Sequence, residues 1–258
     1  MMETLSGKKE IMKSVLKKIL LVANIYAILF AFVMTFLLGK IFFVCYGIYD
    51  DVVQLRNSQP EQSSFMIHLR DSIPDIKLRH TYVPMDSISP YLKKAVIAGE
   101  DPGFFFHPGF DLRAIANAYE VNSKMGRIKY GGSTITQQLA KNMFLNGERS
   151  MARKAKELVY AVLMENELGK DRILELYLNY AQWGENIFGC KEACLAFYGK
   201  DCSNLTLDQA INLAAVLSAP TKLQPEMSGN DFMELRKSIV EQGVYAGRAH
   251  QKTTQPSP

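Results

Sequence analysis

Read from its N-terminus, the chain presents a lysine-rich start and then twenty residues, Ile19 to Leu38, without a formal charge. Asn24 and Thr35 are the polar interruptions in that run. A helix rises about 1.5 Å per residue, so the run spans roughly 30 Å, the thickness of a bilayer's hydrocarbon core. A second apolar patch, Ile41 to Ile48, follows Lys40 and offers Phe42, Phe43 and Tyr46 as interfacial aromatics. Lys8, Lys9, Lys13, Lys17 and Lys18 precede the run, whereas Asp50 and Asp51 lie beyond it. The positive-inside bias predicts a cytoplasmic tail over 1–18, a transmembrane signal anchor over 19–40, and an outward placement for the remainder of the chain. A cleaved signal peptide is the rival reading; the apolar run is long for one, and no convincing small-residue site lies after it.

Residues 41–80 are mixed in polarity and are expected to form a stalk. A helical period begins at Ser89-Pro90, an N-cap followed by a proline at the first helical position, with Leu92, Ala95, Val96 and Ala98 recurring behind it. That helix runs into Gly99-Glu100-Asp101-Pro102-Gly103, where proline and glycine force an end. Further helices are predicted over Leu112 to Lys124, Thr134 to Leu145, Arg149 to Leu168, Asp171 to Tyr180, Lys191 to Phe197 and Leu207 to Ser218. Ser133 and Thr206 read as N-caps, Gly147 and Gly169 as stops. The seven apolar residues Leu158 to Met164 predict a helix segment buried all round. No run of alternating β-branched residues competes, so the fold class is mainly α. The short, polar, proline-containing tail, 247–258, is expected to be disordered.

Composition changes this picture little. The 258 residues are 48% hydrophobic, enough for a core, and carry a net charge of +4. That excess is too small and dispersed for nucleic acid, and it suits a surface meeting anionic lipid headgroups as well as an ordinary solvated one. His68, His80, His107 and His250 lack metal-ligand spacing. Cys190 and Cys194 lie four apart on a predicted helix, without an easy disulfide geometry and without the paired spacing of a zinc site. Buried free thiols are the default, and a bridge from Cys202 to either remains open.

Four clusters could carry chemistry. Glu100-Asp101 sits between apolar Ala95–Ala98 and Phe104–Phe106; such a pair ordinarily solvates a loop, but desolvation there would raise a carboxyl toward useful base values. Gly131-Gly132-Ser133-Thr134-Ile135-Thr136-Gln137-Gln138-Leu139-Ala140-Lys141-Asn142 opens a helix whose first N–H groups can receive an anion, with Gln137 and Lys141 four apart and Arg149 beyond. It lacks the Lys-Ser/Thr ending of a nucleotide loop, and a capped surface helix is its plainer reading. Arg153-Lys154-Ala155-Lys156-Glu157 reads either as a salt-bridged helix segment or as a carboxylate orienting cations around a leaving phosphate. In Lys170 to Asn179, Ile173, Leu174 and Leu178 supply a core face, which leaves Lys170 freer to bind a ligand.

Together these clusters resemble the bacterial peptidoglycan glycosyltransferases, known as monofunctional enzymes and as the N-terminal domain of class A penicillin-binding proteins. Glu100-Asp101-x-x-Phe104-x-x-His107-x-Gly109 is similar to the family's first motif, and Gly131 to Asn142 to the second almost letter for letter. Arg153-Lys154-x-x-Glu157 resembles the third, and Lys170-x-x-Ile173-Leu174-Glu175-x-Tyr177-Leu178-Asn179 the fourth. Arg236-Lys237 stands where the fifth motif has a basic pair, in a thin surrounding match. No transpeptidase segment is expected after it, so the resemblance is to the monofunctional members.

The resemblance implies a lysozyme-like, two-lobed helical glycosyltransferase domain over 81–246. Its implied reaction polymerises lipid II by inverting transfer of the lipid-linked glycan onto the GlcNAc 4-hydroxyl of lipid II, with release of polyprenyl pyrophosphate. Glu100 would be the base. Lys141, Arg149 and Arg153, helped by Ser133, Gln137 and Gln138, would neutralise the donor pyrophosphate. Glu157 would hold those cations, Asp101 would join substrate binding, and Lys170 would face the acceptor's pyrophosphate, with His107 bracing the loop of Glu100. No cofactor is required, though a divalent cation, Mg²⁺ or Mn²⁺, is compatible with the pyrophosphates. The implied partners are lipid II, the growing glycan, the bacterial cytoplasmic membrane and other cell-wall synthesis proteins, with Asp111 to Tyr130 facing the membrane through Tyr119, Met125 and Lys129. The rivals are a lysozyme-like glycan-cleaving enzyme and a non-catalytic membrane protein that binds lipid II.

Overall fold

A computed structural model of the chain describes residues 2–125, 131–145 and 150–253. It is mainly α, and the chain divides into two compact units, 1–50 and 51–258. The first unit is one helix, part of α1 (Met2–Gln54). The stretch Leu16–Gln54 is long and apolar enough to cross a membrane. Large apolar side chains along it are exposed: Phe30 is 68% and Phe32 72% exposed. Within this stretch the Thr35 hydroxyl donates to the Ala31 carbonyl at 2.9 Å, which satisfies it locally.

The second unit begins with the last turn of α1 and includes most of the expected stalk. Helix α2 (Ser64–Ser72) is capped by Ser63, which accepts from the Met66 N–H, and Met66 is fully buried. A two-residue strand, β1 (Arg79–His80), pairs in parallel with β2 (Ile187–Phe188). Residues 55–80 are therefore folded rather than a free stalk. Their anchors are carbonyls held from far along the chain: Tyr180 donates to the Pro60 oxygen at 2.6 Å, and Arg172 to those of Leu55 and Ser58. Such pairings leave no period in the local sequence.

Two helix groups form the core. In one, α3 (Pro90–Glu100) packs against α9 (Leu207–Val216) and α10 (Asp231–Thr253). In the other, α5 (Ile135–Phe144) packs against α6 (Met151–Glu167), α7 (Lys170–Tyr180) and α2. Helix α4 (Leu112–Met125) follows the first motif, and α8 (Cys190–Tyr198) follows β2. Helix α10 was not foreseen, because its apolar stripe is thin: Met233, Val240 and Val244 are buried in an otherwise polar segment. Gly243 lets it approach α3 closely, since a Cβ there would lie 2.9 Å from that of Ala98. The helix continues past Gly247 to Thr253, where composition predicts disorder.

The caps follow the sequence with one correction. Ser89 and Thr206 cap α3 and α9 as expected. The cap of α5 is Thr134 rather than Ser133, and Gln137 completes its capping box. Gly169, at φ +75°, separates α6 from α7, while Gly147 lies outside the described residues. Nor is α6 buried all round: Leu158 is 39% and Val159 47% exposed, because packing from α5 and α7 covers only its Glu157–Tyr160–Ala161–Met164 face.

Candidate active site

Helix α3 ends where Pro102 disfavours helical geometry for the residue before it. Asp101 is extended there (φ −159°), which turns Glu100 to one side of the chain and Asp101 to the other. The Asp101 carboxylate is buried and accepts from the Ile135 N–H at 3.0 Å and from His107 Nε2 at 2.9 Å. It thus occupies the N-terminus of α5, where unpaired N–H groups favour a negative charge. His107 Nδ1 accepts from the Gly109 N–H at 3.2 Å, so the ring carries its proton on Nε2, facing Asp101. The Gly109 carbonyl in turn accepts from Thr134 Oγ1 at 2.7 Å. Gly109 has φ +93°, and a Cβ would lie 2.9 Å from the Ala161 carbonyl oxygen, so no other residue fits this crossing. The first motif is in this way bolted onto the second by backbone and buried side chains.

Glu100 faces a cleft of about 460 Å³ between the two helix groups. Its side chain is 9% exposed. Oε1 accepts from Arg236 Nη2 at 2.6 Å and Oε2 from Gln138 Nε2 at 2.9 Å. Tyr177 donates its hydroxyl to Gln138 Oε1 at 3.0 Å, which orients the amide so that its nitrogen points at Glu100. Burial pushes the Glu100 carboxyl above its ordinary range, against the opposing pull of Arg236 and Gln138.

Across the cleft stand Ser133, Lys141, Arg153, Lys154 and Glu157. Glu157 is 3% exposed, and its carboxylate is held by Arg153 Nη1 at 2.9 Å and by Lys154. Lys154 also donates to Ser133 Oγ at 3.2 Å, a hydroxyl left available because Thr134 took the cap. Lys141 opens onto the cleft, yet the surrounding protein is close enough that desolvation lowers its ammonium pKa, opposed first by Glu157 and aided by Arg153 and Lys154. Four cations, Lys141, Arg153, Lys154 and Arg236, therefore face two carboxylates, Glu100 and Glu157. Among the described residues, Arg153 and Arg236 each keep a buried Nε–H without a partner. Such a lining is short of negative charge and of acceptors, and a phosphate or pyrophosphate supplies both.

Of the residues singled out in the sequence, Glu100, Ser133, Gln138, Lys141, Arg153 and Glu157 converge on this cleft. Asp101 and Gln137 sit behind its wall instead: Gln137 is 2% exposed and its Oε1 accepts from the Thr134 N–H, a capping duty that takes it off the face of Lys141. Lys170 does not line the cleft. It donates to Glu165 at 2.7 Å and to the His107 carbonyl at 2.8 Å, and stacks 4.5 Å from the Phe104 ring centroid. Arg149, and with it Lys129, lies outside the described residues, as do the side chains of Tyr119 and Met125. Two cleft cations escaped selection. Lys154 stood within a cluster already noted, and Arg236 was visible only as a basic pair in a weak match. Most of the fourth motif is structural, as expected: Asn179 accepts from the Val83 N–H at 2.8 Å and donates to its carbonyl at 2.9 Å.

No group of three or more metal-ligating side chains is placed to hold an ion among the described residues. The two cleft carboxylates already face cations or an amide. This donor set does not fit a resident metal.

A buried carboxyl shares this cleft with clustered cations, an arrangement chemically suited to transferring a group from an anionic leaving group. Residues 70–244 match the Transglycosylase family, and the chain belongs to it. The biosynthetic peptidoglycan transglycosylase of Azoarcus sp. is 45% identical over 181 residues, covering 69% of this chain and 78% of that protein. Its namesake from Nitrosospira multiformis is 41% identical over 189 residues, 72% of this chain and 82% of that protein. That of Chromobacterium violaceum is 42% identical over 200 residues, 76% and 86% of the two chains.

Proposed function

We propose that this transglycosylase polymerises lipid II into glycan strands, with Glu100 as base toward the acceptor. The observation that carries the reading is a buried, pKa-raised carboxylate sharing one cleft with four cations. The 4-hydroxyl oxygen of the acceptor GlcNAc attacks C1 of the donor sugar and its proton passes to Glu100. The bond from C1 to the pyrophosphate oxygen breaks with inversion, and polyprenyl pyrophosphate leaves. Each Glu100 oxygen accepts one hydrogen bond and retains a lone pair, so the base stays oriented without being blocked. Pyrophosphate departs without protonation when its charge is met, so one base and a cationic cradle are enough. Lys141, Arg153 and Lys154 supply that cradle, with Ser133 as a hydrogen-bonding partner and Arg149 as a further cation. Glu157 keeps Arg153 and Lys154 in place before substrate arrives. In this reading Asp101, Gln137 and Lys170 act through positioning.

The apolar α1 holds the enzyme at the bilayer that carries its substrates, with residues 1–18 inside and the catalytic unit on the outer face of the bacterial cytoplasmic membrane. The lysines before the span support that orientation. Leu112 (69% exposed) and Ile115 (42%) between the first two motifs, with Phe106 (91%) in the first motif beside them, support a membrane-facing role for that segment. Other cell-wall synthesis proteins are proposed neighbours on the same membrane.

Purified full-length protein incubated with labelled lipid II should yield glycan that muramidase digests. Glu100→Gln should lower the rate about 10²–10⁴-fold, the range for loss of a general base, with the fold retained. Release of fragments from finished glycan without chain growth would identify a hydrolase. Full cellular function of Glu100→Gln would instead identify a non-catalytic binder.

A further inference from the structure

Cys190, Cys194 and Cys202 are all buried, none of them lines the cleft, and the proposed reaction uses none of them. Gly199, in the left-handed region at φ +61°, ends α8 and turns the chain back, with the Lys200 N–H donating to the Cys194 carbonyl. The reversal lays Cys202 over Cys194, and their sulfurs are 2.7 Å apart. Unbonded heavy atoms pack at about 3.5–4.0 Å, whereas a disulfide is about 2.05 Å long. The pair lies closer than unbonded packing, within reach of a bond. No metal explains the cluster, since no triad of ligating side chains is placed to hold one among the described residues.

We propose that Cys194 and Cys202 form a disulfide in the native protein, with Cys190 remaining a thiol beside it. The proposal rests on the outward placement of the catalytic unit, because that compartment is oxidising. Two thiols lose two protons and two electrons, and the S–S bond forms. The electrons pass to a thiol–disulfide oxidant, whose own disulfide is reduced to two thiols. With Cys194 and Cys202 at most 1% exposed, reaction occurs while the chain folds or opens. The bond has a consequence for the site. The Cys202 carbonyl accepts from the Ser89 N–H at 3.0 Å, and Ser89 caps the helix that ends at Glu100. A bridge at Cys202 therefore secures the seat of α3.

Trypsin separates the three cysteines, because Arg172, Lys191, Lys200 and Lys222 flank them. Full-length protein extracted from cells under acid quench, alkylated without reduction and digested, should show peptide 192–200 linked to 201–222, with Cys190 alkylated. Free thiols at Cys194 and Cys202, or a bond to Cys190, overturn the proposal. A second arm treats reduced, purified protein with glutathione disulfide. Bonding there but not in cells traces the failure to the outward placement, and no bonding in either traces it to the pairing itself. In the oxidised protein a reductant should lower the melting temperature by roughly 5–10 °C, the effect of a short closed loop. Cys194→Ser should abolish that response and Cys190→Ser should keep it; an unchanged response in Cys194→Ser refutes the bond.

Discussion

Replacing Asp101 by Asn separates a residue that touches substrate from one that holds the site together. The Asp101 carboxylate accepts two N–H groups, from Ile135 at 3.0 Å and from His107 at 2.9 Å, and is 5% exposed. Asparagine has one acceptor oxygen. Both bonds go to Oδ2, and Oδ1 lies 3.0 Å from the same His107 nitrogen, so an amide oxygen standing at Oδ2 sets the NH₂ against the Nε2–H of His107. The imidazole cannot yield by moving its proton to Nδ1, because Nδ1 already accepts from Gly109. Hydrogen bonds to a charged acceptor are worth about 1.5–3 kcal/mol against about 0.5–1.5 kcal/mol for neutral ones, and two buried donors left facing each other cost about 1–3 kcal/mol more. Burial also raises the Asp101 pKa, so the neutral amide recovers some desolvation energy. The net loss is about 2–4 kcal/mol, or about 4–16 °C in melting temperature for a unit of this size. Thermal melts of both proteins, beside initial rates of lipid II polymerisation well below the melt, provide the assay. Lost stability together with lost rate is the expected outcome, since the Glu100 loop loosens. An unchanged melting temperature with a large rise in KM would refute the reasoning and return Asp101 to the substrate.

Arg236→Ala removes the cation that opposes burial at Glu100, so the carboxyl pKa rises further. The base form then requires a higher pH: the acid limb of the kcat/KM profile should move to the alkaline side, and a uniform loss at every pH would point to substrate binding alone. Glu157→Gln leaves Arg153 and Lys154 without their carboxylate; polymerisation should fall about 10–100-fold, mostly in KM, a misplacement effect measured by rates at varied lipid II. Gly109→Ala forces a left-handed alanine against the Ala161 carbonyl, which costs at least about 1–2 kcal/mol and should appear as a lowered melting temperature with reduced activity.

The motifs show how far the letters reached. Glu100 was legible as a candidate base because apolar neighbours on both sides made desolvation readable in one dimension. Glu157 and Arg153 were legible because i,i+4 spacing on a helix is a contact. Arg236 was not, since its partner lies 136 positions away and α10 shows only a thin apolar stripe. Lys154 was passed over because helical spacing offers three cations near Glu157 and does not say which of them turns inward. Gln137 misled for a related reason: side-chain periodicity put it beside Lys141, but an unpaired N–H at the helix start claimed its amide.

By itself the sequence determined an apolar helix long enough to cross a membrane, the helical class and the order of the chemical motifs. Those depend on local quantities: length of an apolar run, period, capping residues and charge within one or two turns. The tertiary structure decided which polar groups face the cleft and which brace it from behind. It folded residues 55–80 through carbonyls held by α7 and through buried Leu55 and Met66, and it gave Asp101 and Lys170 protein partners behind the cleft. The physical reason is that a buried donor or acceptor must find a partner wherever the fold supplies one, and that supply is set by contacts distant in sequence.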